Sequence, residues 1–348
     1  MKRKFLIIGL SLLSSFLMAA HASEPQKSGD GHPGPTFKLS DWKLSAPPAP
    51  EDNKTTAERV ALGKTLFFDP RISGNGALSC ASCHNPTLGW SDGLPTPVGM
   101  NGKVLGRATP TILNTAYNTQ FMWDGRKKSL EDQALGPMQA SDEMNSDLRA
   151  VVERLRKNVG YQKMFEKAYP GQPIDETLIA KAIAAFERSV VAADSPFDRW
   201  VAGDKKAMTE NQVRGYQLFV DSSKGNCVVC HAPPNFTDNG FHNIGVASSE
   251  KMQDVGRYAV RKVALNKGAF KTPSLRDIEL TGPYFHDGSA KSLREVIDHY
   301  ARGGDDKSNL SPNMRPLNLT EQDKEDLVAF MKALTNRPKP FVLPNLPQ

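Results

Sequence analysis

Cys80, Cys83 and His84 form a C-x-x-C-H unit, and Cys227, Cys230 and His231 form a second. They account for all four cysteines of the chain. Paired thiols followed by an imidazole could close a redox disulfide, ligate zinc or carry a haem. A redox disulfide has no use for the histidine, and zinc sites rarely place a histidine directly after the second cysteine. Covalent haem needs this order, because the thiols bond the vinyl groups and the next residue supplies an axial imidazole. Two copies that consume every cysteine point to two haem c groups, with His84 and His231 as one axial ligand each. The chemistry then depends on the opposite face of each iron. A strong ligand there makes an electron carrier, whereas an open face admits a small oxidant.

Around the second unit the candidates for the opposite ligand are Met252, Met314, His242, His286, His299 and Tyr300. The stretch "SLREVIDHYARGG" (residues 292–304) is the most informative. Ser292 and Glu295 have the spacing of a capping box, and Gly303 and Gly304 end the helix. Leu293, Val296, Ile297 and Tyr300 fall on one face at helical spacing. Tyr300 therefore points inward, and His299 sits at the edge of that stripe. Periodicity leaves Tyr300 open between a core tyrosine with a bonded hydroxyl and an iron ligand. The difference matters, because a thioether raises the haem potential and a phenolate lowers it.

Elements of a recurrent kind position both units. "GKTLFFD" (residues 63–69) precedes the first, and "GYQLFVD" (residues 215–221) precedes the second. Each closes an amphipathic helix, with Val60, Leu66 and Phe67 in one and Val213, Leu218 and Phe219 in the other, the latter after a Thr209 N-cap. Gly63 allows close approach of a second element. Further helical patterns cover 146–158 and 175–192, and little reads as strand. The expected fold is mostly α, with two cytochrome c-like domains in tandem, each carrying one covalent haem c. Residues 1–22 read as a signal peptide: Lys2, Arg3 and Lys4 precede an apolar run that ends in "AHA" and is too short to span a membrane. This predicts export to the periplasm with cleavage near Ala22 and no membrane span after processing. Residues 23–50, rich in Pro, Gly and Ser, read as a flexible lead-in. The two domains are expected over 51–200 and 201–348, the second with a Pro-rich tail. The net charge of +6 falls to +3 once the three basic signal residues are removed, and no basic run argues for nucleic acid.

In order along the chain stand "LGKTLFFDPRIS", "CASCHNP", "ATPTILNTAYN", "WDGR", "QALGPMQASDEM", "NCVVCH", "FKTPSLRDIELTGPYFHDGS" and "LREVIDHYARGG". As a set they resemble the bacterial dihaem cytochrome c peroxidases and their MauG-type relatives, from about Glu58 to Leu334. The resemblance implies that the haem on Cys80, Cys83 and His84 is the peroxide site, and that the haem on Cys227, Cys230 and His231 transfers electrons. It places Trp123 as a bridge between the haems, Glu143 as the distal acid–base group and Gln133 beside it. Tyr300 falls where typical peroxidases carry a methionine ligand and MauG-type members a tyrosine. The resemblance also implies a calcium ion between the domains, held partly by an asparagine just before the "A-P-T" phrase. Here that residue is Ala108, which leaves backbone carbonyls near Lys271 and Pro273, with waters, as donors. MauG-type members pass oxidising equivalents through a tryptophan two residues before the second unit, and here that residue is Gly225. Family members are often homodimers.

The implied activity is reduction of hydrogen peroxide to water with electrons from a small c-type cytochrome or similar periplasmic donor. The alternative output is MauG-type oxidation of residues in a partner protein, with both irons in a high-valent state. A dihaem electron carrier with two closed irons is the non-enzymatic reading. Many relatives close the first haem with a histidine that follows "V-G" or "I-G". In "TPVGMNGK" that place holds Met100, which would be at most a weak ligand to ferric iron. The next histidine after His84 is His231. The first haem is therefore expected to be open in the resting protein, without reductive activation.

Overall fold

The structure is a computed structural model that describes residues 36–247, 254–337 and 340–348. The signal peptide, the start of the lead-in and Met252 lie outside the described residues. The described chain is mostly helical, as its patterns predict. Ten α-helices occur among the described residues: α1 (Ala57–Phe68), α2 (Cys80–Cys83), α3 (Leu130–Gln139), α4 (Leu148–Lys157), α5 (Val159–Ala168), α6 (Glu176–Ser189), α7 (Pro196–Val201), α8 (Glu210–Val220), α9 (Leu293–Ala301) and α10 (Glu321–Lys332). Among the described residues a single small sheet pairs β1 (Phe241–His242) with β2 (Phe270–Lys271), antiparallel. Among the described residues no helix is long and apolar enough to cross a membrane.

Two cores are built on one template. In the first, α1 crosses α6 so tightly that a Cβ added to Gly63 would lie 1.8 Å from the Ala182 carbonyl oxygen and 2.9 Å from Phe186 Cβ. In the second, α8 crosses α10, and a Cβ on Gly215 would lie 1.9 Å from the Asp326 carbonyl oxygen and 2.7 Å from Phe330 Cβ. The aromatic residue four positions after each glycine, Phe67 or Phe219, meets the partner helix through Phe186 or Phe330, with ring centroids 5.2 Å apart in both cores. The helices are signalled locally. Thr56 caps α1 by accepting from Arg59 N–H, and Thr209 forms a capping box with Gln212 at α8. At α9 the cap differs from its expected form. Ser292 accepts from Glu295 N–H, but the Glu295 carboxylate bonds Lys291 N–H instead of closing the box.

The described part of the lead-in departs from the expectation of flexible chain. Trp42, inside the stretch read as a flexible lead-in, is fully buried in the second core against Phe197, Tyr216, Phe219 and Phe236. An indole with that much apolar area outweighs the surrounding prolines, and truncating such a side chain costs about 3–5 kcal/mol. Phe341 of the Pro-rich tail stacks on Phe68 at 5.2 Å and meets Trp90 edge-on at 5.2 Å, which seats it on the first core. The described segments around Trp42 and Phe341 thus each pack on the core remote from them in sequence.

Gly63→Ala should cost about 1–3 kcal/mol or more in urea unfolding, because the added methyl meets backbone that no rotamer can move aside. Gly106→Ala, where the added Cβ meets nothing within 4 Å, should stay within about 0.5 kcal/mol of the parent. Equal effects at the two positions would contradict this reading of the helix crossing.

Candidate haem sites

The histidines of the two units are oriented alike. His84 Nδ1 lies 3.1 Å from the Trp90 carbonyl oxygen, and His231 Nδ1 lies 3.0 Å from that of Phe236. A carbonyl can only accept, so each Nδ1 carries the proton and each Nε2 keeps a free lone pair. Burial lowers both imidazole pKa values, which keeps the rings neutral and fit to ligate. The carbonyls are aimed by unusual backbone: Trp90 and Phe236 have φ of 61° and 55°, although neither is glycine. All four cysteines are free, so no disulfide competes for the thiols.

One continuous cavity takes in His84 on one side and Cys227, Cys230 and His231 on the other. Trp123, Gln133, Tyr300, Lys271 and Pro273 also line it, so the structure brings most of the predicted residues to one space. A mostly apolar cavity lined by both imidazoles suits haem, although the thiols of Cys80 and Cys83 are not part of its wall, and the cations Lys271 and Arg315 on that wall suit propionates.

The ligand candidates of the second unit separate by their bonds. His299, at the edge of the apolar stripe, is buried. Its Nδ1 lies 2.9 Å from Asp305 Oδ2 and its Nε2 2.8 Å from the Ile244 carbonyl, so both ring nitrogens are committed. His242 is likewise committed, to Asp238 and Ser311. His286 lies flat on Phe270 with centroids 3.6 Å apart. Tyr300 and Met314 both line the cavity. The Tyr300 hydroxyl makes no hydrogen bond among the described residues, so the expectation of a bonded core tyrosine is not met. Burial, then Cys230 and Cys227, push the phenol pKa up, and an adjacent ferric charge would supply the opposite push.

A long internal repeat places the two haem faces in register. "TPTILNTAYNTQFMWDGRKKSL" (residues 109–130) and "TPSLRDIELTGPYFHDGSAKSL" (residues 272–293) share more than sequence. Asn114 and Asp277 both have positive φ ahead of a 3₁₀ turn, Met122 and Phe285 repeat the positive φ, and Ser129 and Ser292 cap α3 and α9. Counting on from those caps, Pro137 on α3 occupies the place that Tyr300 holds on α9. A prolyl ring has no donor atom. At this position α9 brings a phenol to the cavity wall, whereas α3 carries a prolyl ring that is not part of that wall.

The copies also clasp each other. Ala108 N–H donates to the His286 carbonyl at 2.7 Å, and Lys271 N–H donates to the Trp123 carbonyl at 2.8 Å. Ala108 and Lys271 hold the same place in the two copies, as do Trp123 and His286. The indole of Trp123 meets His286 edge-on at 6.5 Å, and its Nε1 donates to the Ala108 carbonyl at 2.8 Å.

Glu143 and Met100 do not line the cavity. Glu143 lies on the turn that folds back under α3, where Met144 N–H donates to the Pro137 carbonyl at 3.1 Å. Burial raises its carboxyl pKa, against the pull of Arg126, and its charge acts on Cys83 of the first unit. Met100 is buried behind that turn, its N–H donating to the carbonyl oxygens of Asp142 and Glu143.

Comparison with known proteins agrees with this geometry. The dihaem cytochrome c peroxidase family model matches residues 57–206, and the cytochrome c model matches residues 212–335. The methylamine utilization protein MauG of Methylorubrum extorquens is 46% identical over 86% of this chain and 84% of its own. The same-named protein of Methylophilus methylotrophus is 41% identical over 97% and 98%. Cytochrome c551 peroxidase of Pseudomonas aeruginosa is 37% identical over 82% and 81%. A solved MauG-like protein associated with microbial copper homeostasis superposes with a TM-score of 0.79 at 32% identity, covering 84% of this chain and 93% of that one.

The chain belongs to the dihaem cytochrome c peroxidase and MauG family. It is a haem c oxidoreductase of peroxidase type, with two tandem cytochrome c-like domains.

Calcium does not fit this family member's residues. Ala108 offers no side-chain oxygen, and its carbonyl accepts from Trp123. The Lys271 ammonium is itself buried there, 3.2 Å from the Thr272 carbonyl. Neutral carbonyls beside a buried cation are a poor substitute for the six to eight oxygens, carboxylates among them, that calcium takes.

Sequence reasoning missed Pro137, although the shared "D-G-x-x-K-S-L" was a readable signal for it. It also missed the positive φ of Trp90 and Phe236, for which no residue-type signal exists. If Tyr300 ligates, Tyr300→Phe should retain two covalent haems yet convert only the second from six- to five-coordinate in resonance Raman spectra. Tyr300→Met should restore six-coordination, with a potential higher by on the order of 0.1 V or more. A second haem whose spectrum ignores Tyr300→Phe would contradict the assignment.

Proposed function

We propose that the protein reduces hydrogen peroxide to water in the periplasm, where the leader would deliver it, using electrons from a small c-type cytochrome. Peroxide binds at the first haem and electrons enter at the second, with the domains dividing near residue 200. The observation that carries this reading is the contrast between Pro137 and Tyr300: one copy of the repeat offers a ligand to its haem and the other leaves that face free. The haem supplies the electron-transfer chemistry. The chain supplies the rest. His84, held by the Trp90 carbonyl, presents Nε2 to the iron. Glu143, whose buried carboxyl has a raised pKa, is suited to take a proton from the inner peroxide oxygen and return it to the outer one, so that water leaves. Gln133 on the cavity wall can orient peroxide by hydrogen bonding, and Trp123, which also lines the cavity, would carry electrons between the two haems. Net reduction consumes two electrons and two protons per peroxide and yields two waters.

A second reading, oxidation of residues in a partner protein, is favoured by Tyr300 and by relatives named for methylamine utilization. Gly225 weighs against its usual exit route. A Cβ there would lie 2.5 Å from the Leu218 carbonyl oxygen, so this backbone has no room for the tryptophan of MauG-type members.

Steady-state oxidation of reduced c-type cytochrome by peroxide should therefore proceed without prior reduction of the enzyme. Glu143→Gln should lower kcat/KM for peroxide by about 10²–10⁴-fold with haem content unchanged. Negligible cytochrome turnover beside a long-lived oxidised state would favour the second reading, and full activity in Glu143→Gln would remove the proton role.

A further inference from the structure

Glu187 on α6 is a buried carboxyl to which the peroxide reading assigns no task. It is 4% exposed, lines the haem cavity, and its Oε2 makes no hydrogen bond. Burying such a group without a full set of partners is costly. The repeat of the helix crossing shows that the fold does not require it. Ala182 and Phe186 on α6 meet Gly63 as Asp326 and Phe330 on α10 meet Gly215. One residue further on, Glu187 therefore corresponds to Met331. Met331 is 5% exposed and lines the same cavity. At one position of a shared template, the second core brings a thioether to the cavity wall and the first brings a carboxyl.

The surroundings make that carboxyl responsive to charge on the first haem. Its charge acts on Cys80, the first thiol of the first unit. Burial pushes its pKa up to about 8; Arg188 on its own helix opposes this, and Glu131 on α3 adds to it. Arg188 is itself committed to Glu131 at 2.8 Å. The packed face of α1, formed by Leu62, Gly63, Thr65, Leu66 and Phe67, carries no titratable group, and the 3₁₀ turn at Thr115–Tyr117 buries only Thr115 and Ala116. A neutral acid next to a centre that gains positive charge on oxidation is driven to release its proton.

We infer that Glu187 is a redox-linked proton site of the first haem, protonated when the iron is reduced and ionised when it is oxidised. Oxidation sends one electron from the iron to an external acceptor, such as a c-type cytochrome or a mediator. The carboxyl O–H bond then breaks, the proton leaves to solvent, and the carboxylate offsets the added charge. Reduction reverses both steps. The inference rests on a haem at Cys80, Cys83 and His84, and it holds for either output of the oxidising equivalents.

The test is a spectroelectrochemical titration of the holoprotein from about pH 6 to about pH 10, which brackets the carboxyl. The first-haem potential of the parent should fall with rising pH, approaching one proton per electron. In Glu187→Gln and in Glu187→Met, which copies the second core, that slope should be lost while the second haem is unchanged. Identical slopes in parent and variants would overturn the inference. A reduced-minus-oxidised infrared difference spectrum of the parent needs no variant. It should show a carboxylic-acid carbonyl band that shifts in D₂O, and its absence would equally overturn the inference. A missing first haem by pyridine haemochrome assay would instead overturn the dihaem reading on which the inference rests.

Discussion

The structure depends on two places where a helix backbone lies against another helix with no side chain between them. At Gly63 the surface of α1 meets the Ala182 carbonyl, and at Gly215 α8 meets the Asp326 carbonyl. Any Cβ at either point would separate the helices. Their close approach brings Phe67 onto Phe186 and Phe219 onto Phe330, and it sets the helix end from which each C-x-x-C-H unit departs. From there the chain turns so that the Trp90 and Phe236 carbonyls each hold a histidine by Nδ1. The order of causes runs from glycine to crossing, from crossing to haem unit, and from haem unit to a free Nε2.

On the proposed reading, the positions at which the copies diverge separate a peroxide site from an electron-transfer site. Pro137 stands against Tyr300 and Glu187 against Met331, on helices that otherwise repeat. In the proposal the first site thereby lacks the phenol of the second, and Glu187 brings a carboxyl to its cavity wall. The second keeps a phenol and an apolar edge. The reciprocal bonds of Ala108 to His286 and of Lys271 to Trp123 fasten the copies together, so the two unlike sites share one cavity wall. With Lys271 buried in the clasp, a cation is already part of the chain at the place where relatives are expected to hold calcium.

The fold was largely legible because its signals are local. The C-x-x-C-H units, the glycine-led helix phrases and the cap at Thr209 each act within a few residues, and each stands where it was read. Tyr300 could be placed on an inward face by periodicity, but only the cavity showed its hydroxyl without a partner. Helical phase placed His299 beside the apolar stripe but could not show what holds it there. The Ile244 carbonyl and Asp305 come to it from outside the helix. Trp42 was hidden by its company, since composition averages over prolines while a single indole decides where its segment packs. Glu187 was invisible for a related reason: its meaning comes from a comparison between two cores that are remote in sequence.

The central claim is that one template yields one open and one closed iron in the resting protein. Electron paramagnetic resonance of the fully oxidised holoprotein tests it most directly. The account predicts a high-spin signal from the first haem and a low-spin signal from the second, with peroxide abolishing the high-spin signal without added reductant. Two low-spin haems that peroxide leaves unchanged would contradict it.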